Sequence, residues 1–297
     1  MRENRKIAHL GGDMPHPQSL PSAADSVISA PPPQSQPAEP CSRPASLPNY
    51  FTSEEVAARY TKVRPFFHQE ALRRLCGVAA IERFHRALDV GCGTGQSSIA
   101  LSSIADRVIA MDASQEMLNH APSLPNVSYR LGVAEQLDFP AGEFDLVSAS
   151  SALHWFDQER FFSQCRKVLA PAGLLAVCND HFTTHMQDAP ACTRWMRTRF
   201  AKRFPSPRRG MRDIDERKAL DAGFTVAHRS SFTHLVCFSR EEFIAYLLTR
   251  SNTLAALQRG DQAEASVAEW LGRELAPILP DGVSGQFLFK CNLWLLR

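Results

Sequence analysis

The spacing of apolar and polar positions divides the chain into three stretches. Residues 1–49 show no periodicity. They are rich in Pro, Ser, Gln and Ala, as in Pro31-Pro32-Pro33-Gln34-Ser35-Gln36-Pro37. Such a segment buries too little apolar surface to offset its ordering entropy, so a disordered tail is predicted, with a PxxP-type docking ligand as the functional alternative. Periodic structure begins near Phe51. Ser53 is placed to cap a helix over 54–62, with Glu54 and Glu55 in its first turn, and Pro65 separates it from a second helix over 66–79.

A strand–helix alternation follows. Apolar runs at 86–90, 108–111, 127–131, 144–149 and 174–178 predict strands. Helices are predicted after 95, after Ser114 and over 160–169. This alternation implies a parallel sheet with right-handed crossovers. Beyond it, 191–204, 213–222, 240–248 and 263–275 read as helices, while 224–238 and 287–296 read as strands. Those two late strands fit an antiparallel pair at the sheet edge, with the helices between them as a lid. The expected fold is α/β: a doubly wound, mostly parallel sheet of seven strands with a helical lid. The expected divisions are the tail 1–49 and a folded domain 50–297. That domain comprises cap helices 50–80, a βα core 81–182, and a C-terminal part 183–297 carrying the lid and edge strands.

The sequence has 297 residues, 44% hydrophobic and 22% charged, which suits a soluble folded protein able to bury its own core. A formal net charge of +2, from 33 basic and 31 acidic residues, gives no support to nucleic-acid binding, although it leaves room for a local basic patch. The cysteines Cys41, Cys76, Cys92, Cys165, Cys178, Cys192, Cys237 and Cys291 form no CxxC pair. No metal site is expected, and reduced core thiols are. No apolar run approaches the ~18 residues of a membrane span, and no signal-peptide core follows the basic start. Glu3, Asp13 and several prolines interrupt any transit peptide. A cytoplasmic location is expected.

The strongest chemical signal is Asp89-Val90-Gly91-Cys92-Gly93-Thr94-Gly95. A glycine-rich turn from the first strand into a helix lets a ligand approach the backbone, and the helix start favours a negative group. The spacing is GxGxG rather than the GxGxxG of dinucleotide sites, with Gln96 in the place of the third dinucleotide glycine. Asp89 suits a cationic amino group and would repel a pyrophosphate. Asp112 ends the second strand, where a carboxylate can accept both ribose hydroxyls or cap the next helix.

These residues resemble class I methyltransferases that use S-adenosyl-L-methionine (SAM). Three further segments carry the resemblance: Val108-Ile109-Ala110-Met111-Asp112, Ala134-Glu135-Gln136-Leu137-Asp138 and Phe144-Asp145-Leu146-Val147 through Phe156. Ala152-Leu153-His154-Trp155-Phe156, Tyr60…Arg64-Pro65 and Leu248-Thr249-Arg250-Ser251 look like the trans-aconitate-methyltransferase-like branch, whose members act on small molecules. The resemblance implies that SAM lies at the carboxyl ends of the strands. Gly91, Gly93 and Gly95 would line its methionine part, and Asp89 would hold the amino group directly or through water. Asp112 would hold the ribose, with Ala113 and Met117 beside the adenosine. Ala134 and Glu135 would border the adenine. Ser150 and Ala152 would face the sulfonium and acceptor, and Tyr60 and Arg64 would close the pocket. Val133 departs from the family's frequent acid before the alanine, leaving adenine contacts to Glu135 and backbone.

Methyl transfer needs alignment and exclusion of water, and a base only where the nucleophile holds a proton. His154 is the candidate base, with a structural role beside Trp155 as the alternative. His181 is a second candidate. Trp155 suits a pocket wall. Arg64 could bind an acceptor carboxylate, the SAM carboxylate, or lie at the surface. Arg208, Arg209 and Arg212 could recruit an acidic substrate or form a solvated face. The expected acceptor is a small molecule, such as a carboxylic acid or another metabolite, with no nucleic-acid or membrane partner. A macromolecular methyltransferase and a non-catalytic SAM-binding regulator are the rivals. A dehydrogenase ranks below both because the glycine spacing is wrong.

Overall fold

The strands β1 (Phe84–Val90), β2 (Ala105–Asp112), β3 (Val127–Leu131), β4 (Phe144–Ser150), β5 (Leu169–Met186), β6 (Val226–Phe238) and β7 (Gly285–Leu296) form one sheet. Their order is β3-β2-β1-β4-β5-β7-β6. The pairs among β1 to β5 are parallel, and β7 runs antiparallel to both β5 and β6. This is the expected doubly wound, mostly parallel seven-stranded architecture. The computed structural model describes residues 49–207, 210, 211 and 213–297, all within a unit spanning Cys41–Arg297. The predicted tail, apart from Asn49, and the cluster Arg208, Arg209 and Arg212 lie outside the described residues.

The helices are α1 (Glu54–Val63), α2 (His68–Ala79), α3 (Gln96–Ser102), α4 (Gln115–Asn119), α5 (Gln158–Val168), α6 (Pro190–Trp195), α7 (Ala201–Arg203), α8 (Glu216–Asp221), α9 (Arg240–Leu248), α10 (Ser251–Gln258) and α11 (Glu264–Leu275). Their starts follow local chemistry. The side chains of Ser53, Ser114, Asp157 and Asp215 accept hydrogen bonds from first-turn amides, and Ser239 forms a capping box with Glu242.

The central strands are apolar on both faces because helices cover both. On one side Leu88, Val90 and Val147 meet Phe161 and Phe162 of α5. On the other, Ala87, Val108 and Leu146 meet Leu72 and Leu75 of α2 and Leu101 of α3. A separate core builds the lid, where Phe182 and Phe287 receive Phe243 and Tyr246 of α9 and Leu271 of α11.

Three sequence expectations need correction. The fifth strand does not stop at Cys178. It runs on to Met186, because residues 179–182 and Met186 pair with β7, and His181 therefore lies within the strand. The stretch 191–204 is not one α-helix: a wide turn at Met196–Phe200 interrupts it between α6 and α7. Finally, α10 was not predicted. It has no side-chain cap, and burial of Leu254, Ala255 and Ala256 holds it.

Among the described residues no helix is long and apolar enough to cross a membrane. Cys76, Cys92, Cys165, Cys178, Cys192, Cys237 and Cys291 are free thiols.

Candidate functional site

The strand order reverses between β1 and β4, where an open α/β sheet presents a crevice at the carboxyl ends of its strands. A cleft lies there, bounded by the glycine loop, the ends of β2 and β4, residues 179–182 of β5, and by α1, α9 and the start of α10. Of the residues singled out in the sequence, Tyr60, Arg64, Gly91, Gly93, Asp112, Ala113, Met117, Ala134, Ser150, Ala152 and His154 line it. Asp89, Gly95 and Glu135 do not.

Backbone geometry explains the loop. Gly91 and Gly93 have φ of 72° and 55°, values that favour glycine. A Cβ on Gly91 would stand 2.6 Å from the Ala152 Cβ and 2.9 Å from the Phe156 ring. Gly95, with φ 80°, caps α3 away from the cleft, and a Cβ there would meet the Tyr129 hydroxyl at 2.8 Å.

Asp112 is set by its own neighbours. Its Oδ2 accepts the Gly93 amide at 2.8 Å and its Oδ1 the Ser114 amide at 2.9 Å. The carboxylate is thereby fixed at the cleft floor. Ser114 in turn donates its hydroxyl to the Phe51 carbonyl at 2.5 Å, tying the segment before α1 to the end of β2. Phe51 packs edge-on against Tyr60 and Trp155 and forms an aromatic wall with them.

Arg64 joins cap and lid. Its guanidinium donates to the Thr249 hydroxyl and carbonyl at 3.0 and 2.6 Å, between the rings of Tyr60 and Tyr246. Arg59 adds a two-pronged ion pair with Glu264. Glu135 accepts the Asp157 amide at 2.8 Å, beside the start of α5. The His154 ring tilts against Trp155, and its carbonyl accepts the Gly210 amide.

Asp89 lies wholly buried beneath the loop, where its Oδ2 accepts the hydroxyls of Ser97 and Ser98 at 2.6 and 2.7 Å. Its Oδ1 has no partner. Burial raises its carboxyl to about 6, the two hydroxyls pull it down, and the charge of Asp112 pushes it up. An unfolded aspartate titrates near ~3.9. The folded protein therefore holds a proton that the unfolded chain releases. The stability from this proton is complete below the unfolded value and is lost as pH rises through about 6. The unfolding free energy of wild type relative to Asp89→Asn should therefore fall by up to about 3 kcal/mol between pH 4 and 7. Urea unfolding of the cofactor-free protein measures it, and a pH-independent difference would show Asp89 ionised throughout.

Several cleft residues carried no sequence signal. The buried hydroxyls of Thr94 and Ser150 have no partner and line the cleft. His68 is buried, with its ring stacked on Phe67, and desolvation lowers its pKa to about 3, so it is neutral. Asp180, Tyr246 and Arg250 also line the cleft.

The comparisons with known proteins bear on this site. Residues 88–177, which hold the glycine loop, Asp112, β4 and the first half of β5, match a family model described as a methyltransferase domain. A Dictyostelium discoideum protein provisionally named a methyltransferase is 30% identical over 136 residues, covering 45% of this chain and 51% of that protein. An uncharacterised methyltransferase of Synechocystis is 37% identical over 119 residues, covering 39% and 54%. The chain thus spans about half the length of these curated relatives. A solved structure from Anaeromyxobacter dehalogenans, provisionally named a type II methyltransferase, shares the fold. Its TM-score is 0.61 at 23% identity, covering 78% of this chain and 97% of that one.

The sequence resemblance implies S-adenosyl-L-methionine as the cofactor. The cleft passes a test of fit for it. It offers a glycine cradle that a Cβ would fill, orphaned hydroxyls at Thr94 and Ser150, and a preset carboxylate at Asp112.

Proposed function

We propose that the chain transfers a methyl group from SAM to a small-molecule acceptor. The observation that carries this reading is the closure of the cleft by cap and lid together. Arg64 is locked to Thr249, and Gln96 of α3 donates to the Arg64 carbonyl at 3.2 Å. A cleft roofed from two sides favours a compact acceptor over a polymer. Residues 50–80 then act as the cap and 183–297 supply the lid.

When bound, the cofactor supplies a methyl group activated on a sulfonium. The chain's own residues bind, orient and exclude water. Gly91 and Gly93 let the methionine part approach the main chain, and Thr94 offers its orphaned hydroxyl there. Asp89 acts on the amino group from beneath the loop, through water. Asp112 accepts the ribose hydroxyls. Ala113, Met117, Ala134 and the main chain beside Glu135 border the adenine. Ser150 and Ala152 sit where methyl and acceptor meet. Phe51, Tyr60 and Trp155 wall off solvent, and His154 supports that wall. Holding two reactants aligned can remove roughly 7–11 kcal/mol of barrier.

Calorimetric titration with SAM, S-adenosylhomocysteine and NAD tests the cofactor half of this reading. Both SAM-type ligands should bind, and NAD should not. Folded protein that ignores all three would overturn it. Conversion of SAM to S-adenosylhomocysteine in the presence of small acceptors, without salt-sensitive RNA or DNA binding, tests the other half.

A further inference from the structure

We propose that Asp180 receives the acceptor's proton, so that the atom methylated belongs to a hydroxyl or an amine. This rests on the methyltransferase reading above and narrows it to a nucleophile class.

Asp180 lines the cleft from the extension of β5. Its place is fixed twice. The main-chain amide donates to the Ser151 hydroxyl at 3.2 Å. Ser151 follows β4, holds φ at 52°, and donates its own amide to the Cys178 carbonyl. A non-glycine residue in that left-handed region marks a position held by its surroundings. Ser151 thus clamps Asp180 beside Ser150 and Ala152, the end of β4 assigned to methyl and acceptor.

The second clamp is on the side chain. Asp180 Oδ1 lies 2.9 Å from His234 Nε2, and only 5% of the Asp180 side chain is exposed. The imidazole cannot swing away, because Phe67 and Phe289 pack against its ring. His234 is therefore a positioning residue: it holds Oδ1 and leaves Oδ2 to serve a ligand.

The nucleophile class follows from charge. A carboxylate nucleophile here would press against a second, buried carboxylate, and like charges in a low-dielectric site strongly disfavour each other. A hydroxyl or amine has a hydrogen to give. Its lone pair forms the bond to the methyl carbon, the carbon–sulfur pair leaves with sulfur, and its proton passes to Asp180 Oδ2. The charged and titratable groups near Asp180 are His234 on β6, His181 and Cys178 on β5, Cys291 on β7 and Arg64 between α1 and α2. Burial raises the Asp180 pKa, and the two histidines and Arg64 restrain the rise, His234 first by its hydrogen bond. A carboxylate displaced towards neutrality is a better base than an ordinary one. This assigns proton removal to Asp180 and leaves His154 and His181 in structural roles.

The test uses the full chain saturated with S-adenosylhomocysteine and three probes of one size: benzylamine, benzyl alcohol and benzoate. Ligand-observed NMR gives their affinities. Benzylamine or benzyl alcohol should bind at least about tenfold more tightly than benzoate, and Asp180→Asn should abolish the benzylamine preference. The S-adenosylhomocysteine affinity of Asp180→Asn should stay within about twofold, which shows the variant is folded. Benzylamine binding should fade as pH drops and Asp180 takes up a proton. His234→Phe removes a restraint on the Asp180 pKa, so this loss should move to higher pH, whereas His234→Gln, which keeps a donor, should move it less. The proposal is overturned if no protic probe outbinds benzoate, or if Asp180→Asn leaves the order unchanged. An unshifted pH profile in His234→Phe would remove the positioning role. Failure to bind S-adenosylhomocysteine at all would sink the methyltransferase reading first, and this one with it.

Discussion

Asp112→Ala is expected to weaken S-adenosylhomocysteine binding about a hundredfold, read by calorimetric titration. The proposed ribose contact loses two hydrogen bonds to a carboxylate, each worth about 1.5–3 kcal/mol. Even the low end of their sum exceeds the ~2.8 kcal/mol that a hundredfold represents. The substitution also strands the amides of Gly93 and Ser114, which lose their acceptor. Asp112→Asn separates the two effects. Its side-chain oxygen can still accept one of those amides, so the loop is largely kept while the charge is gone. Asn should therefore fall between wild type and Ala. A loss below threefold in Asp112→Ala would mean that Asp112 shapes the loop without touching the ribose.

The second large effect is expected at Gly91. Alanine there meets two obstacles. The backbone stands at φ 72°, which costs an L-residue about 1–2 kcal/mol. The new methyl would lie 2.6 Å from the Ala152 Cβ, well inside contact distance. Overpacking of this kind typically costs ~1–3 kcal/mol. Gly91→Ala should thus lose about 2–5 kcal/mol of stability, lowering the melting temperature by roughly 5–15 °C for a domain of this size. Cofactor binding should fail with it, because relief requires moving the end of β4 or the loop itself. A variant melting within about 2 °C of wild type would show that Phe156 and Ala152 yield more easily than their packing suggests.

Both positions were readable in the sequence because their chemistry is local. The loop glycines and the acid ending β2 lie on consecutive strand–turn units, and Ser53 and Ser114 announce their helices within three residues. The surroundings of Asp89 were less legible. Its burial goes with the hydroxyls of Ser97 and Ser98, in the first turn of α3, which face it only once the loop has folded. Asp180 was hidden for a stronger reason. Asn179-Asp180-His181 reads as a polar exit from a strand, yet pairing with Asn292, Cys291 and Lys290 keeps it in the sheet. Its partner His234 lies 54 positions away. No local pattern encodes such a pair. The helix α10 was missed because its boundary rests on burial, of Leu254 and Ala255 against Tyr50 and Val56 and of Ala256 against the lid core, rather than on a cap.

The position of β7 has a consequence for biosynthesis. It lies between β5 and β6 in the sheet but follows the entire lid along the chain. About a hundred residues separate the end of β5 from the start of β7. At translation rates of about 5–20 residues per second, the ribosome needs some 5–20 s to make them. For that interval the nascent chain carries β5, an 18-residue strand with an almost wholly buried middle, with one edge open. An open apolar edge is a template for pairing with another chain. The growing chain is therefore open to edge pairing on the ribosome, where a chaperone that covers β5 would protect it.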